Sequence, residues 1–261
     1  MASLQYKHYY DKEYDPCLLF ATYIRADKDP SKEQLIEYPI KVLRHIFSSG
    51  LVKGDTLIDL TASSACQLIL AAAEYFDNII LLKLCESDER EAQKWLHKEP
   101  GAIDHSHLTT FICGLKGKST EWEEHEEKTR KAIKQIVRWD ITKDNPLGDV
   151  VLAQADCVLS VGYLDFVSKD HEMYLKLLKK MCSLVKIGGH LILIAVLNIT
   201  YYMIGQHKFS ALTYDKEFVQ KSLASNGFII VRSGKEINRH NSDLIDYKYL
   251  AYFVSRKERE V

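Results

Sequence analysis

Short polar stretches follow five apolar runs in this sequence, and they hold the side chains best suited to binding or catalysis. The stretches lie at residues 61–64, 83–88, 140, 161–165 and 195–202. If the runs before them are parallel strands, the stretches meet at the carboxyl edge of one sheet, where open α/β folds bind nucleotide-like ligands. The pattern therefore predicts one composite ligand site in which hydroxyls, carboxylates and an ammonium group converge.

The first stretch is the centre of this arrangement. Residues 56–60 are typical of a short buried strand, residues 61–64 of a tight turn of small side chains, and residues 65–76 of an apolar helix. A glycine-rich turn here would indicate a cofactor site directly, because glycine lets the backbone approach a ligand closely. This turn contains no glycine, so it does not decide the function by itself.

The elements that must position these residues alternate along the chain. We expect strands at residues 56–60, 79–84, 108–113, 155–161, 190–197, 228–232 and 248–255. We expect helices at residues 31–49, 65–76, 87–97 and 174–185, and a charged helix that follows a polar loop from residue 116 and runs to residue 138. The alternation predicts an α/β fold with a doubly wound parallel sheet, helices on both faces and right-handed crossovers. We assign residues 31–261 to this domain and residues 1–30 to an N-terminal arm.

The N-terminal arm is rich in tyrosine, and two interpretations of it stay open. Its rings can pack on the body of the domain, which the sequence alone slightly favours. They can also form a lid, because aromatic rings exclude water and their hydroxyls hydrogen-bond a ligand. The tyrosines are Tyr6, Tyr9, Tyr10, Tyr14 and Tyr23.

The composition argues against several classes of protein. A formal net charge of −1 gives no overall attraction to nucleic acid or to an anionic membrane. The longest apolar stretch, residues 190–197, is too short to span a bilayer, and the first residues lack a signal-peptide core. We expect a soluble, cytoplasmic monomer with no nucleic-acid or membrane partner.

Neither disulfides nor a metal site are expected. The six cysteines are scattered and form no C-x-x-C pair. His105 and His107 flank one serine, but a lone pair of histidines in a polar loop is more typical of solvated surface than of a metal site. Nucleophile elbows, phosphate-binding loops and zinc-protease helices are also absent from the sequence.

Six short segments, in order along the chain, carry a resemblance to a known family. They are LID at 57–59, KWLHKEP at 94–100, NPLG at 145–148, ADCVLS at 155–160, YYMIG at 201–205 and KFS at 208–210. With them the chain resembles the S-adenosylmethionine-dependent nicotinamide, indolethylamine and phenylethanolamine N-methyltransferases, and the first two most closely. The resemblance implies a Rossmann-like class I methyltransferase sheet with an N-terminal lid. It also implies S-adenosylmethionine as cofactor and a small-molecule amine or N-heteroaromatic compound as substrate.

Eleven positions of this sequence correspond to cofactor-binding positions of the family. They are Tyr10, Tyr23, Asp59, Thr61, Ser63, Gln67, Lys83, Asp88, Asp140, Ile141 and Val161. Asp140 stands where the family has an aspartate facing the adenine amine, and Tyr10 and Tyr23 match lid tyrosines. The other matches depart from the pattern: Thr61 and Ser63 replace glycines of the turn, Gln67 and Leu19 replace tyrosines, and Ile24 does so as well.

The largest departure on the cofactor side is Lys83. It stands at the acidic residue that, in the family, accepts hydrogen bonds from the ribose hydroxyls, whereas an ammonium only donates. Loss of two charged hydrogen bonds would weaken binding by about 10² to 10⁴ unless another group replaces them. Glu86 is one candidate replacement. Asp88 stands for an asparagine at the adenosine edge, and Val161 for a threonine.

The substrate side combines retained and altered positions. The resemblance makes Asp165 the catalytic and substrate-binding carboxylate that faces the acceptor amine, and Tyr202 is also kept. Ala195 replaces an aspartate that holds the substrate, and Ala211 replaces a serine of the amide pocket. His240 aligns near a pocket tyrosine. Because a carboxamide would lose polar partners here, we do not expect nicotinamide to be the acceptor.

The resemblance therefore predicts an N-methyltransferase acting on a small amine or heteroaromatic nitrogen. The alternative is a catalytically weakened or inactive relative that keeps the fold as a binding or regulatory protein. Thr61, Lys83 and Ala195 favour the alternative, and Asp140, Asp165 and Tyr202 favour the enzyme. Methylation of nucleic acid is a weaker third hypothesis, because no basic groove or aromatic platform is evident.

Overall fold

The computed structural model describes residues 14–24, 33–61, 68–240 and 242–261. Seven strands form its main sheet: β1 (Thr56–Asp59), β2 (Asn78–Lys83), β3 (Ile133–Arg138), β4 (Ala155–Val161), β5 (Val185–Leu197), β8 (Phe228–Ile237) and β9 (Tyr249–Lys257). β6 (Tyr201–Ile204) and β7 (His207–Ser210) pair as a separate antiparallel hairpin.

Helices precede and follow these strands. They are α1 (Pro16–Tyr23), α2 (Tyr38–Ser48), α3 (Glu86–Leu96), α4 (Ser106–Gly114), α5 (Trp122–Ala132), α6 (Tyr163–Val167), α7 (His171–Ser183) and α8 (Lys216–Ser225). One π-helical turn, Glu33–Glu37, leads into α2, and 3-10 turns occupy Ile69–Ala71 and Ser119–Glu121.

The strand order of the main sheet is β3-β2-β1-β4-β5-β9-β8. The first five strands run parallel, and β9 and β8 are antiparallel additions at one side. The chain reverses its direction of winding between β1 and β4, so a crevice opens beyond their carboxyl ends. The prediction of a doubly wound α/β sheet is confirmed.

The core strands are buried because their sequences are continuous apolar runs. In β5, every side chain from Leu191 to Leu197 is buried, as expected for a strand covered on both faces. β1 lies between β2 and β4, with Asp59 opposite Leu81 and Leu159. The first strand therefore delivers its terminal carboxylate to the centre of the carboxyl edge.

Two sequence predictions about elements are wrong, and both concern the region between β2 and β4. Residues 108–113 form part of α4, where Leu108 and Ile112 lie four residues apart on one buried face. The residues predicted to end a long charged helix leave it at Ala132 and form β3, which pairs with β2 at the edge of the sheet.

The apolar helix predicted over residues 65–76 is also not observed in its described part. There the chain forms only the 3-10 turn Ile69–Ala71 and further turns. Residues 62–67 lie outside the described ranges. The division into an arm and a domain stays a prediction, with α1 packed against the body.

Candidate active site

A cavity, open to solvent on one side, lies over the switch point of the sheet. The ends of β1, β4 and β5 form its floor, and α1 and the segment before α2 form its roof. Its lining is Leu19, Tyr23, Ile24, Leu35, Ile36, Pro39, Thr61, Leu68, Val161, Gly162, Phe166, Val196, Tyr202, Ile245 and Leu250. Among the described residues, the lining is mostly apolar, and Thr61, Tyr23 and Tyr202 carry its hydroxyls.

The roof helix α1 is fastened to the β6–β7 hairpin by two side chains. The Tyr23 hydroxyl donates to the Leu244 carbonyl (3.0 Å) and accepts from the Met203 amide (3.2 Å). The Thr22 hydroxyl accepts from the Gly205 amide (3.1 Å). Tyr23 therefore has two roles: its ring lines the cavity, and its hydroxyl attaches α1 to Leu244 and Met203.

Aromatic rings form one wall of the cavity. Phe166 packs on Tyr202 with ring centroids 4.5 Å apart, and Tyr202 stacks on Phe209 at 5.4 Å. Gly162, which precedes α6, has a φ of +62°, and a Cβ there would lie 2.7 Å from the Phe166 ring. Glycine is therefore required at position 162 both for the turn and for the position of the Phe166 ring.

Asp165 lies behind this wall and is only 2% exposed. Its carboxylate accepts hydrogen bonds from the Val196 amide (2.9 Å) and from the Tyr214 hydroxyl. Burial raises the pKa of Asp165 to about 6, although both hydrogen bonds oppose the rise. The carboxylate thus ties α6 to the end of β5 and to the chain after β7. Two residues of the cavity lining are linked to Asp165: Val196 donates its amide to the carboxylate, and Phe166 follows it in the chain.

The two alanines of the predicted substrate side also lie near the cavity without belonging to its described lining. Ala195 is buried in β5 opposite Ala251 of β9, and its neighbour Val196 is the residue that lines the cavity. Ala211 is partly buried and donates its amide to the Thr200 carbonyl (2.9 Å). His240, partly buried, donates its amide to the Asn238 side chain.

At the end of β2, Lys83 is 1% exposed and lies beside buried Asp59 at the end of β1. Burial raises the pKa of Asp59, while the Lys83 charge and a hydrogen bond from the Thr61 hydroxyl (2.6 Å) lower it. The Lys83 charge thus offsets part of the effect of burial on the Asp59 carboxyl. Thr61 therefore lines the cavity and also donates a hydrogen bond to the Asp59 carboxylate.

The first turn of α3 follows β2 and carries three acids, and two of them, Asp88 and Glu86, face opposite ways. Asp88 is 1% exposed and accepts a hydrogen bond from the Tyr14 hydroxyl (3.2 Å). The side chain of Glu86 is 77% exposed and pairs with Arg90 at 2.8 Å. The hypothesis that Glu86 replaces the missing acid at position 83 finds no support in this arrangement.

His105 differs from the solvated pair predicted for residues 105–107. It is buried with its ring edge-on to Phe20 and Trp95, while His107 is exposed. Burial lowers the pKa of His105 to about 3, and the charge of Lys83 contributes to the same direction. The histidine is therefore a neutral part of the packing between α1 and α3.

The remaining predicted cofactor positions divide between described and undescribed residues. Asp140 follows β3, and a hydrogen bond from the Thr142 hydroxyl (2.6 Å) lowers the pKa of its carboxyl. Ile141 is partly buried next to it, and Val161 lines the cavity. Tyr10, Ser63 and Gln67 lie outside the described residues.

Sequence reasoning missed Phe166 and Tyr214, and it did not predict the contacts of Gly162 and Tyr14. Phe166 and Gly162 stand four residues apart, which is a usable signal for a ring packed over a helix start. Tyr14 and Tyr214 carry no such local signal, because their partners Asp88 and Asp165 lie 74 and 49 residues away.

Within residues 14–24, 33–61, 68–240 and 242–261, no group of three or more histidine, cysteine or acidic side chains is arranged to hold a metal ion. In the same part of the chain, no helix is both long enough and apolar enough to cross a membrane.

Comparison with known proteins adds independent observations. A model of the NNMT/PNMT/TEMT family matches residues 3–258. Indolethylamine N-methyltransferase from Mus musculus is 33% identical over 249 residues, which cover 95% of this chain and 94% of the relative. Nicotinamide N-methyltransferase from Homo sapiens is 35% identical over 232 residues, with coverages of 89% and 88%.

A solved S-adenosylmethionine-dependent methyltransferase from Clostridium acetobutylicum superposes with a TM-score of 0.56 at 12% identity. The alignment covers 93% of this chain and 98% of that chain, and the likeness concerns the fold. The predicted Rossmann-like class I methyltransferase sheet is confirmed.

Proposed function

The chain belongs to the NNMT/PNMT/TEMT family, and from that premise we propose that it transfers a methyl group from S-adenosylmethionine to the nitrogen of a small, largely apolar amine. The observation that carries the acceptor class is the lining of the cavity at the ends of β1, β4 and β5. The described part of this lining presents mostly carbon to a ligand, which favours an uncharged molecule with an apolar body.

The cofactor fits the chemistry of the carboxyl edge. Asp59, Asp88 and Asp140 present carboxylates near the ends of three neighbouring strands, β1, β2 and β3. Carboxylates accept hydrogen bonds, and the ribose hydroxyls and the adenine amine are donors. Val161 and Thr61 would place the reactive end of the cofactor at the cavity, because both residues line it.

Nicotinamide fits this cavity poorly. Its carboxamide has two donor hydrogens and an acceptor oxygen, and burying an amide without partners costs about 1–3 kcal/mol. The Tyr23 hydroxyl is held by two backbone groups, and Ala195 and Ala211 offer no polar atom. An acceptor without an amide needs fewer polar partners from this lining.

The residues of the chain act mainly by orientation and exclusion of water. S-adenosylmethionine, when bound, supplies a methyl group already activated by the sulfonium charge. Phe166 and Tyr202 would hold the acceptor in line, and α1 would exclude water from above. We propose that Asp165 contributes by fixing this wall: it binds the Val196 amide and Tyr214 and so sets the positions of Val196 and Phe166.

A second candidate function is a binding protein that keeps the fold without turnover. Lys83, buried at the end of β2, favours it because the ammonium stands where an acceptor of ribose hydrogen bonds is expected. The retained residues Asp140, Asp165 and Tyr202 favour the enzyme. Turnover distinguishes the two candidates directly.

The test is a competition between acceptors in one reaction. Purified protein is incubated with S-adenosylmethionine, nicotinamide and a matched set of arylalkyl amines, and methylated products are identified by mass spectrometry. We expect methylated amine and no methylated nicotinamide. Preferential methylation of nicotinamide would refute the acceptor class, and the absence of any product would favour the binding protein.

A further inference from the structure

Trp139 and Tyr163 form a buried hydrogen bond across the ends of the sheet. The indole Nε1 of Trp139 donates to the Tyr163 hydroxyl at 2.7 Å. Trp139, which is 1% exposed, directly follows β3, and Tyr163, which is fully buried, begins α6 just after β4. Because β2 and β1 lie between β3 and β4, the two side chains together span about 14 Å of sheet at the usual strand spacing. Only long ring side chains with polar tips can make such a link.

Backbone hydrogen bonds fix both ends of this link. The Trp139 amide donates to the Lys83 carbonyl at 2.8 Å, which continues the pairing of β3 with β2. At the other end, the amide of Gly162, the residue before Tyr163, donates to the Ile194 carbonyl at 2.9 Å. The link therefore connects two chain segments that are themselves held at the carboxyl edge of the sheet.

The neighbours of the link in the chain belong to the two halves of the candidate site. Asp140 follows Trp139 and is one of the carboxylates proposed to face the cofactor. Tyr163 lies between Gly162 and Phe166, which both line the cavity proposed for the acceptor. Neither Trp139 nor Tyr163 belongs to the described lining of that cavity. The link can therefore influence the reaction only through the positions of its neighbours.

We propose that Trp139 and Tyr163 are positioning residues whose hydrogen bond holds Asp140, on the cofactor side, in place relative to Phe166, on the acceptor side. The inference rests on the proposed methyl transfer. In that reaction the nitrogen lone pair of the amine forms a bond to the methyl carbon while the carbon–sulfur bond breaks, and the nitrogen releases a proton to water. Nitrogen, carbon and sulfur must lie in line, so a small shift of one half against the other slows this step.

The experiment separates alignment from binding. The rate of methyl transfer is measured in a single turnover at saturating S-adenosylmethionine and saturating arylalkyl amine, with the amine chosen by the competition described above. Calorimetry gives the separate affinities for S-adenosylhomocysteine and for the amine. The variants of the full chain are Tyr163→Phe, Trp139→Phe and the double substitution.

Two control variants change residues outside the link. Ser255→Ala is the matched control, because it deletes one buried hydroxyl, which donates to the Leu191 carbonyl at 3.0 Å. Neither Ser255 nor Leu191 belongs to the described cavity lining. Asp144→Asn controls for changes in the loop after Trp139, since the Asp144 side chain is exposed and pairs with Lys176.

The indole signals in heteronuclear NMR report the bond itself. The chain has three tryptophans, so the signal of Trp139 is the one that Trp139→Phe removes. We expect Tyr163→Phe to shift this signal and to leave those of Trp95 and Trp122 in place, which also shows that the variant is folded. If Tyr163→Phe does not fold, the double variant takes its place, because it buries no unpaired N–H group at this link.

We expect each single substitution to slow methyl transfer about 10-fold or more, while both separate affinities stay within about 3-fold of the original values. The double variant should be no slower than the slower single variant, because both substitutions remove the same bond. Ser255→Ala and Asp144→Asn should transfer the methyl group at the original rate.

Several results would overturn the inference while the proposed function stands. They are methyl transfer that Tyr163→Phe slows no more than Ser255→Ala does, additive losses in the double variant, affinities that fall in step with the rate, or a Trp139 signal that Tyr163→Phe leaves in place. If the unchanged protein transfers no methyl group to any amine, the proposed function itself falls, and the inference falls with it.

Discussion

At the scale of single residues, Asp165 could act as a base towards the substrate or as a carboxylate that holds its neighbours in position. Its environment favours the second role. A carboxylate that takes a proton from a substrate must reach it. Asp165 instead accepts from the Val196 amide and from the Tyr214 hydroxyl, behind the wall formed by Phe166. Its raised pKa follows from burial, and it makes the stability of the protein depend on pH.

Substitution Asp165→Asn tests this account. The folded-state pKa of about 6 lies above the usual value near 4, so the native state binds this proton more tightly than the unfolded chain. The stabilisation from this group is full below about pH 4 and is lost as the pH rises through about 6. It amounts to about 3 kcal/mol, and the asparagine variant lacks it.

The measurement is urea unfolding of both proteins at about pH 4.5 and pH 7. We expect the variant to gain stability relative to the unchanged protein at the higher pH, since its amide oxygen can still accept both hydrogen bonds. Its turnover should stay within about 10-fold of the original. A loss of 10² or more, with unchanged stability, would instead assign Asp165 the role of a base.

Lys83 gives a second prediction at this scale. Substitution Lys83→Met leaves Asp59 buried without the opposite charge that now lowers the pKa of its carboxyl. We expect the free energy of unfolding at pH 7 to fall, because the buried Asp59 carboxyl loses the nearby positive charge that favours its ionised form. Chemical denaturation measures it. The double substitution Lys83→Met with Asp59→Asn should recover most of the loss, and an equal loss in both variants would contradict the coupling.

Residue identity alone did not reveal these roles, because burial decides them. Glu86 and Asp88 are two acids in one helical turn, yet one faces solvent and the other faces the N-terminal segment. The resemblance assigned Asp88 and Asp165 to the site, and they lie in the helices that follow β2 and β4. It could not show that Tyr14 and Tyr214, far away in sequence, bind them.

At the scale of elements, the turn between β4 and α6 sets the shape of the aromatic wall. Gly162 has a positive φ, and the Phe166 ring lies where a Cβ would project. Substitution Gly162→Ala should cost about 1–2 kcal/mol of stability from the backbone alone. It should also displace Phe166 and weaken acceptor binding more than cofactor binding.

Thermal unfolding and separate titrations with cofactor and acceptor measure both effects. Gly117→Ala is the matched control, because Gly117 also has a positive φ of 73° but has open space around its Cβ position. If the two variants lose acceptor affinity equally, the contact with Phe166 has no special effect.

The attachment of α1 gives a further prediction at this scale. Tyr23→Phe removes the hydroxyl that joins the roof to Leu244 and Met203, and it leaves the Met203 amide without that acceptor. We expect amide hydrogen exchange in α1 to become about 10-fold faster or more, while exchange in β4 and β5 stays as it is. Tyr75→Phe, whose ring packs on Phe47, is the control. Unchanged exchange in α1 would show that the hydroxyl does not hold the roof.

Elements buried on both faces could be predicted from sequence, and others could not. β2, β4 and β5 are uninterrupted apolar runs, and each was found near its predicted place. β3 is an edge strand with a half-exposed pattern, so its apolar residues were assigned to the preceding charged helix. In α4 the run of six residues was too short for its helical period to be distinguished from a strand.

At the scale of the whole molecule, the carboxyl edge of the sheet has two halves with different chemistry. Towards β2 and β3 it presents carboxylates and the buried Lys83, and towards β4 and β5 it presents the apolar cavity. A polar cofactor and an apolar acceptor fit these halves, with Thr61 and Val161 between them. The chain belongs to a family of N-methyltransferases, which use a cofactor and an acceptor. The turn after β1 lacks the glycines that are usual at a cofactor site.

Detection of methyl transfer in a single turnover tests the central claim most directly. Protein in excess over isotopically labelled S-adenosylmethionine is mixed with the best arylalkyl amine, and the products are followed by mass spectrometry. We predict labelled N-methyl amine and S-adenosylhomocysteine in equal amounts, with an Asp144→Asn control behaving alike. Cofactor that remains intact in the presence of folded protein and every amine offered would contradict the account.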